Sequence, residues 1–108
     1  MPRHKRIGSI NTRHTDVEGD STAGSVKLYD TVIVRWNANN VILDHGGHET
    51  PTTCERMNAT ARTFGLCFLV SIVKRRMVLW PLKEGRLSKA IPWPPDSSTL
   101  VMPRALVS

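Results

Sequence analysis

Four side chains with metal-binding chemistry fall close together in the chain: His45, His48, Cys54 and Cys67, in the spacing H-x2-H-x5-C-x12-C. Two imidazoles and two thiolates make a tetrahedral zinc set. The histidines sit in a glycine-containing loop, just before the helix expected to carry Cys54. The spacing lacks the C-x2-C pair that brings two thiolates onto one turn, so zinc is a weak candidate. The plainer reading puts Cys54 on an apolar helix stripe, Cys67 in a core strand and the histidines in a solvated loop. The expectation is no metal and no cofactor.

The same stretch holds a second chemistry. Gly46-Gly47-His48-Glu49-Thr50-Pro51-Thr52-Thr53 is a glycine-rich turn opening a helix. Free N–H groups and the positive end of a helix suit a phosphate or carboxylate. Gly46, Gly47, Thr52 and Thr53 are therefore the anion-binding candidates, with Arg56 nearby. No Walker lysine is present, and Glu49 and Glu55 carry the wrong charge. A tight turn leading into a capped helix is the favoured reading of the same residues.

The third chemistry is cationic. Lys74, Arg75 and Arg76 form a run at an expected hairpin tip, and Arg56 and Arg62 lie on the helix. With Trp36 and Trp80 as stacking groups, this set suits a phosphate backbone or an acidic protein. Charge runs usually mark a solvated turn, and aromatics on a small sheet usually form its core. Lys74, Arg75, Arg76, Arg56, Arg62 and Trp36 are the candidate contacts for nucleic acid or a protein partner. No nucleophile elbow or base–nucleophile spacing occurs, so no catalytic residues and no enzyme activity are expected. Residues 91–95, Ile-Pro-Trp-Pro-Pro, suit either docking as a polyproline helix or pinning of the tail by Trp93.

The elements that position these residues follow from periodicity. Residues 31–36 alternate, with Val32, Val34 and Trp36 on one face and Ile33 and Arg35 on the other. Asn37-Ala38-Asn39-Asn40 is a turn, and residues 41–43 return as a strand. Thr52 and Glu55 fit a capping box. Cys54, Met57, Ala61 and Phe64 make one helical stripe, and Gly65 stands where a helix ends. Residues 66–73 and 77–80 form a second strand pair around the basic turn, and Pro81 stops it. The predicted fold is α+β: a small β-β-α-β-β domain at residues 26–82, an antiparallel sheet with one helix packed on one face. Residues 1–25 read as a flexible N-terminal arm, and residues 83–108 as a proline-containing extended tail. So small a core gains from dimerisation, here a homodimer, or from partner docking.

The chain has 108 residues and a formal net charge of +6. That charge is spread as +1, +3 and +2 over the arm, the core and the tail, which weakens a dedicated nucleic-acid arm. Residues 64–73 are the longest mainly apolar run, too short to span a bilayer, so no membrane is expected. No apolar segment follows the basic N-terminus as in a signal peptide, and two cysteines fit a reducing cytoplasm.

Residues 31–80 resemble a family of small, uncharacterised proteins of tailed bacteriophages and prophages. The likeness lies in Val32-Ile33-Val34-Arg35, Val41-Ile42-Leu43, Gly46-Gly47, Thr50, Thr52-Thr53, Arg56-Met57-Asn58, Phe64-Gly65-Leu66 and Trp80. The pattern is G-G-x-x-T-x-T-T-x-x-R-[ML]-N between two strand pairs. This sequence departs from it in its long tails, in His48 where an aromatic is common, and in Cys54 where a basic residue is common. The resemblance implies an early or accessory phage protein acting in the host cytoplasm, and no activity. The leading expectation is a non-enzymatic accessory protein that binds a host or phage macromolecule, with a protein partner favoured. Nucleic-acid binding through the basic tip and a minor virion or assembly role are the alternatives.

Overall fold

The computed structural model describes residues 15–104. The chain order is β1 (Thr15–Gly19), β2 (Gly24–Leu28), β3 (Thr31–Trp36), β4 (Asn40–Asp44), α1 (Pro51–Phe64), β5 (Phe68–Val73), β6 (Arg76–Lys83), β7 (Arg86–Leu87), β8 (Ile91–Pro92) and β9 (Thr99–Pro103). The architecture is α+β. A first antiparallel sheet has the order β1-β2-β3-β4-β9, and in a second β6 pairs β5 on one edge and β7 and β8 on the other. The four strands expected between residues 31 and 80 divide between the two sheets, and α1 carries the chain from one to the other.

The reading of residues 1–25 and 83–108 as tails needs correction over the described residues. Residues 15–25 belong to the β1–β2 hairpin, closed by Asp20, whose Oδ1 accepts the N–H groups of Thr22 and Ala23 at 2.8 and 3.2 Å. Thr15 and Val17 face inward while Asp16 and Glu18 face water, an alternation too short to stand out in a polar stretch. At the other end, Trp93 is 3% exposed and donates its Nε1–H to the Ser98 carbonyl at 2.9 Å. Trp93 thus pins residues 91–95 against their own domain, where β8 pairs β6, rather than leaving a free polyproline segment. Beyond it, β9 pairs β4 and sends Met102 into the core. Residues 1–14 and 105–108 lie outside the described residues.

One strand departs from strict alternation. The β2–β3 register shifts between Val26 and Lys27, so Ile33 is an extra residue in the ladder. A bulge turns two successive side chains the same way, and both Ile33 and Val34 are buried. Val32 is only half-buried as a result. Trp36 lies over Gly24, where an added Cβ would meet the indole at 2.5 Å, so a larger residue there would displace the ring.

The helix begins two residues earlier than the capping box implied. Thr50 is the N-cap, with its Oγ1 accepting the Thr53 N–H at 3.3 Å, and Pro51 starts the first turn. Glu55 pairs with Arg56 instead of reaching back. Gly65 ends the helix at φ 67°, and the Leu66 N–H bonds the Ala61 carbonyl at 3.1 Å.

Asn58 then joins the helix to the second sheet. Its Nδ2 donates to the Val70 carbonyl at 2.8 Å, and its Oδ1 accepts the Val70 N–H at 2.7 Å. A side-chain amide thereby takes the place of a neighbouring strand on the outer edge of β5. Core residues from both sheets and α1 form one cluster that includes Trp36, Leu43, Met57, Phe64, Val70, Leu79 and Trp93.

Two outcomes follow. Asn58→Ala leaves the Val70 N–H and C=O unpaired and is expected to lower unfolding stability by about 2–3 kcal/mol in urea denaturation. A fragment of residues 26–82 lacks Trp93 and β9, and its NMR spectrum is expected to show no dispersed amide signals.

Candidate functional site

The Gly-Gly-Thr segment is built as a connection between β4 and α1. Gly46 N–H donates to Asp44 Oδ1 at 2.8 Å, and Gly47 N–H to His45 Nδ1 at 3.0 Å. Three of the four anion candidates, Gly46, Gly47 and Thr53, thus have their N–H groups engaged within the chain. Thr52 and Thr53 line a concavity of about 510 Å³ with His45 and His48, while Gly46 lines a separate one. The pattern G-G-x-x-T-x-T-T-x-x-R-[ML]-N has a direct structural content. It provides two residues at positive φ, the Thr50 cap, the buried Thr53 and Met57, and the Asn58 bridge.

The four metal candidates are not brought together. Among the described residues, no three His, Cys, Asp or Glu side chains are placed to hold a metal ion. Cys54 lies in the first turn of α1 and Cys67 beyond its last, so about 15 Å of helix separates them. His45 is buried, its Nδ1 is taken by Gly47, and its Nε2 is enclosed. Burial, with Glu49 adding to it, pushes the Cys54 thiol up to about 11, which keeps it protonated and unreactive at neutral pH.

Glu49 is a residue that sequence reasoning read as a capping group and as an unfavourable charge for an anion. Its Oε2 accepts the Met77 N–H at 2.9 Å and Arg76 Nε at 3.1 Å. The Met77 hydrogen bond, then the Arg76 guanidinium, hold its carboxyl below the ordinary value against the opposing effect of burial. Arg76 is therefore a paired member of the basic run. Arg56 is mostly covered and paired with Glu55. Arg62 is exposed in the last turn of α1, where a cation favours the helix dipole.

Trp36 cannot stack a base. It is 2% exposed, packs on Phe64 with ring centroids 4.7 Å apart, and donates its Nε1–H to the Asp20 carbonyl at 2.7 Å. Trp80 differs: it is half-buried on β6 and donates to Ser71 Oγ at 2.8 Å. Lys74 and Arg75 are exposed and form the whole two-residue turn between Val73 and Arg76. Both adopt left-handed backbone, at φ 52° and 68°, where Asn-Gly is the favoured pair.

The surface that sequence reasoning left undefined is the outer face of the second sheet. On β6, Met77 and Leu79 face the core, and Val78, Trp80 and Leu82 face outward. Their register partners are Ser71, Leu69 and Leu87, and Val73 lies opposite Arg76. Between Arg76 and Lys83 this strip carries no charge, and its Val73 and Leu87 are 44% and 53% exposed. The outer face of the first sheet carries Asp16, Lys27, Arg35 and Asp44, as a solvated face should. The sequence signal was faint because β6 is apolar on both faces, which removes the alternation that marks a half-exposed strand.

A family model described as Kyanoviridae Gp96 protein matches residues 3–95. The chain belongs to the Kyanoviridae Gp96 family. It is thereby a phage protein, and the match takes in β1 to β8 and the helix and stops before β9. No curated protein and no solved structure matches the chain. Among the described residues, no helix of this family member is long and apolar enough to cross a membrane.

The depressed Glu49 carboxyl stabilises the fold above its unfolded value of about 4.5, and that contribution is lost as pH falls through the lower folded value. Glu49→Gln is expected to melt earlier than wild type at neutral pH, with the gap closing in acid; melting curves over a pH series check this. Cys54 is expected to resist alkylation in the native protein and to react on unfolding, as read by mass spectrometry.

Proposed function

We propose that this phage protein is a non-enzymatic accessory factor that binds a macromolecular partner, a protein in preference to nucleic acid, in the host cytoplasm. The observation that carries the reading is the charge-free outer face of the second sheet. Exposed apolar area on one contiguous strip, bordered by charge, is the usual anatomy of a protein-binding patch. The strip is mainly aliphatic, with Leu69, Val73, Val78, Leu82 and Leu87 around Trp80. Single-strand nucleic-acid platforms need several stackable rings, and Trp36 is withdrawn into the core.

The turn at Lys74 and Arg75 supports the same reading. Left-handed backbone costs roughly 1–2 kcal/mol for a residue that is not glycine. Two adjacent exposed cations held there point to a requirement for charge at that tip over a requirement for stability. The two exposed cations also favour a second reading, contact with a phosphate backbone.

The double variant Lys74→Asn with Arg75→Gly separates function from stability. It is expected to raise unfolding stability by about 1 kcal/mol, because both residues suit the turn, while lowering partner capture from lysate of infected cells. Capture that is unchanged by this variant and by Leu87→Glu would remove the face and its tip from the account. Anisotropy with labelled single-stranded DNA, duplex DNA and RNA distinguishes the second reading, which requires binding that persists at physiological salt.

A further inference from the structure

His45 carries a buried donor with no acceptor among the described residues. The residue is 7% exposed and takes the Gly47 N–H on its Nδ1 at 3.0 Å. A neutral imidazole that accepts at Nδ1 holds its proton on Nε2 and donates there. That Nε2 is enclosed and unpartnered. A buried N–H left unpaired bears its full desolvation penalty, so one kept in a fold calls for an occupant. Because Nε2 is shut off from bulk solvent, the acceptor must be seated against the wall in which the ring stands.

That wall belongs to the concavity of about 510 Å³ between the β2–β3 turn and the first turn of α1, a volume within the range of small-molecule sites. Leu28 and Ile33, both buried, supply its apolar lining. Gly46 lets the β4–α1 loop close on the β2–β3 turn, since an added Cβ there would meet Thr31 Oγ1 at 2.7 Å. On α1, Pro51 has no N–H, and the Thr53 and Cys54 N–H groups go to Thr50 Oγ1 and the Thr50 carbonyl. The Thr52 N–H remains as an open donor of the first turn, and Thr52 lines the concavity. Tyr29 lines it too, 64% exposed, with left-handed backbone at φ 55° in the two-residue turn between Leu28 and Thr31. Glycine or asparagine suits such a position, so an aromatic ring is kept at this mouth at a cost.

Charge decides the kind of ligand. No lysine or arginine lines the concavity, whereas Asp30 and the exposed His48 do. A helix end supplies about half a positive charge, which the Asp30 carboxylate outweighs. A phosphate is poorly served there, and an uncharged oxygen acceptor is well served by N–H donors. We propose that this concavity binds a small, flat, uncharged organic molecule bearing a carbonyl group. The carbonyl oxygen accepts from the His45 Nε2–H, the Thr52 N–H is a further donor to the same molecule, and the apolar body lies against Leu28 and Ile33 with Tyr29 at the mouth.

The test follows the full chain by NMR as benzamide is added. The His45 Nε2–H signal, assigned by its loss in His45→Asn, and the Thr52 amide are expected to shift together and to saturate with a Kd on the order of 1 mM. His45→Asn keeps an acceptor for Gly47 but lacks the Nε2–H, and should weaken benzamide about tenfold. Tyr29→Gly suits the turn, so it should melt no earlier than wild type while weakening benzamide about threefold or more. Benzoate is expected to bind about threefold or more weakly than benzamide, and inorganic phosphate to shift neither signal. No saturable shift, or benzamide affinity indifferent to both substitutions, overturns the site and leaves His45 to a buried water. Benzoate or phosphate bound as tightly as benzamide overturns the uncharged class and leaves the concavity an anion site. Where circular dichroism shows that His45→Asn does not fold, Tyr29→Gly carries the same test.

Discussion

The structure depends on a pair of hydrogen bonds between a helix side chain and a strand edge. Asn58 satisfies both backbone groups of Val70, at 2.7 and 2.8 Å, and so fixes how α1 lies against β5. An unpaired N–H and C=O at a part-buried edge would cost more than the two bonds contribute, which makes the contact close to obligatory. With α1 held there, Phe64 reaches Trp36, and Trp36 in turn covers Gly24. The chain from Asn58 to the β2–β3 ladder is thus continuous packing across both sheets. The same contact occupies the middle of the β5 edge, while the far face of β5 and β6 stays open.

Function and fold divide the sequence differently from the way its composition suggests. The residues with the most recognisable chemistry, Gly46, Gly47, Thr50 and Thr53, serve turns and a helix cap. Their donors are largely spent inside the chain. The basic residues divide in the same way. Arg76 and Arg56 are paired with Glu49 and Glu55, whereas Lys74 and Arg75 stand free of the ladder at a backbone conformation that suits other residues. Charge that is structurally costly and exposed is a better indicator of a contact than charge alone.

Much of the central fold was legible in the sequence. The Asn37–Asn40 turn, the helix with Gly65 at its end, and the basic hairpin tip each announce themselves through turn chemistry or a long period. The β1–β2 hairpin did not, because its inward positions are only Thr15, Val17, Val26 and Leu28 within a polar stretch. Nor did β9, whose pairing with β4 lies more than fifty residues away in sequence and leaves no local mark. Trp93 in its proline cluster admitted two readings, and only the Ser98 and Met77 carbonyls decide between them. The burial of Trp36 and the openness of Trp80 are likewise products of tertiary packing. Both sit on apolar strands that read alike in sequence. The face around Trp80 was hidden for a related reason, since a strand apolar on both sides resembles a buried one.

Iodide and caesium quenching of tryptophan fluorescence tests the open, cation-bordered strip most directly. Trp36 and Trp93 are 2% and 3% exposed, so Trp80 is the one indole a quencher can reach. The account predicts that iodide, drawn by the exposed Lys74 and Arg75 at the strip's turn and by the net positive charge of the chain, quenches part of the emission far more strongly than caesium does. It also predicts that Trp80→Phe removes that quenchable part. Equal quenching by the two ions, or iodide quenching that survives Trp80→Phe, would contradict it.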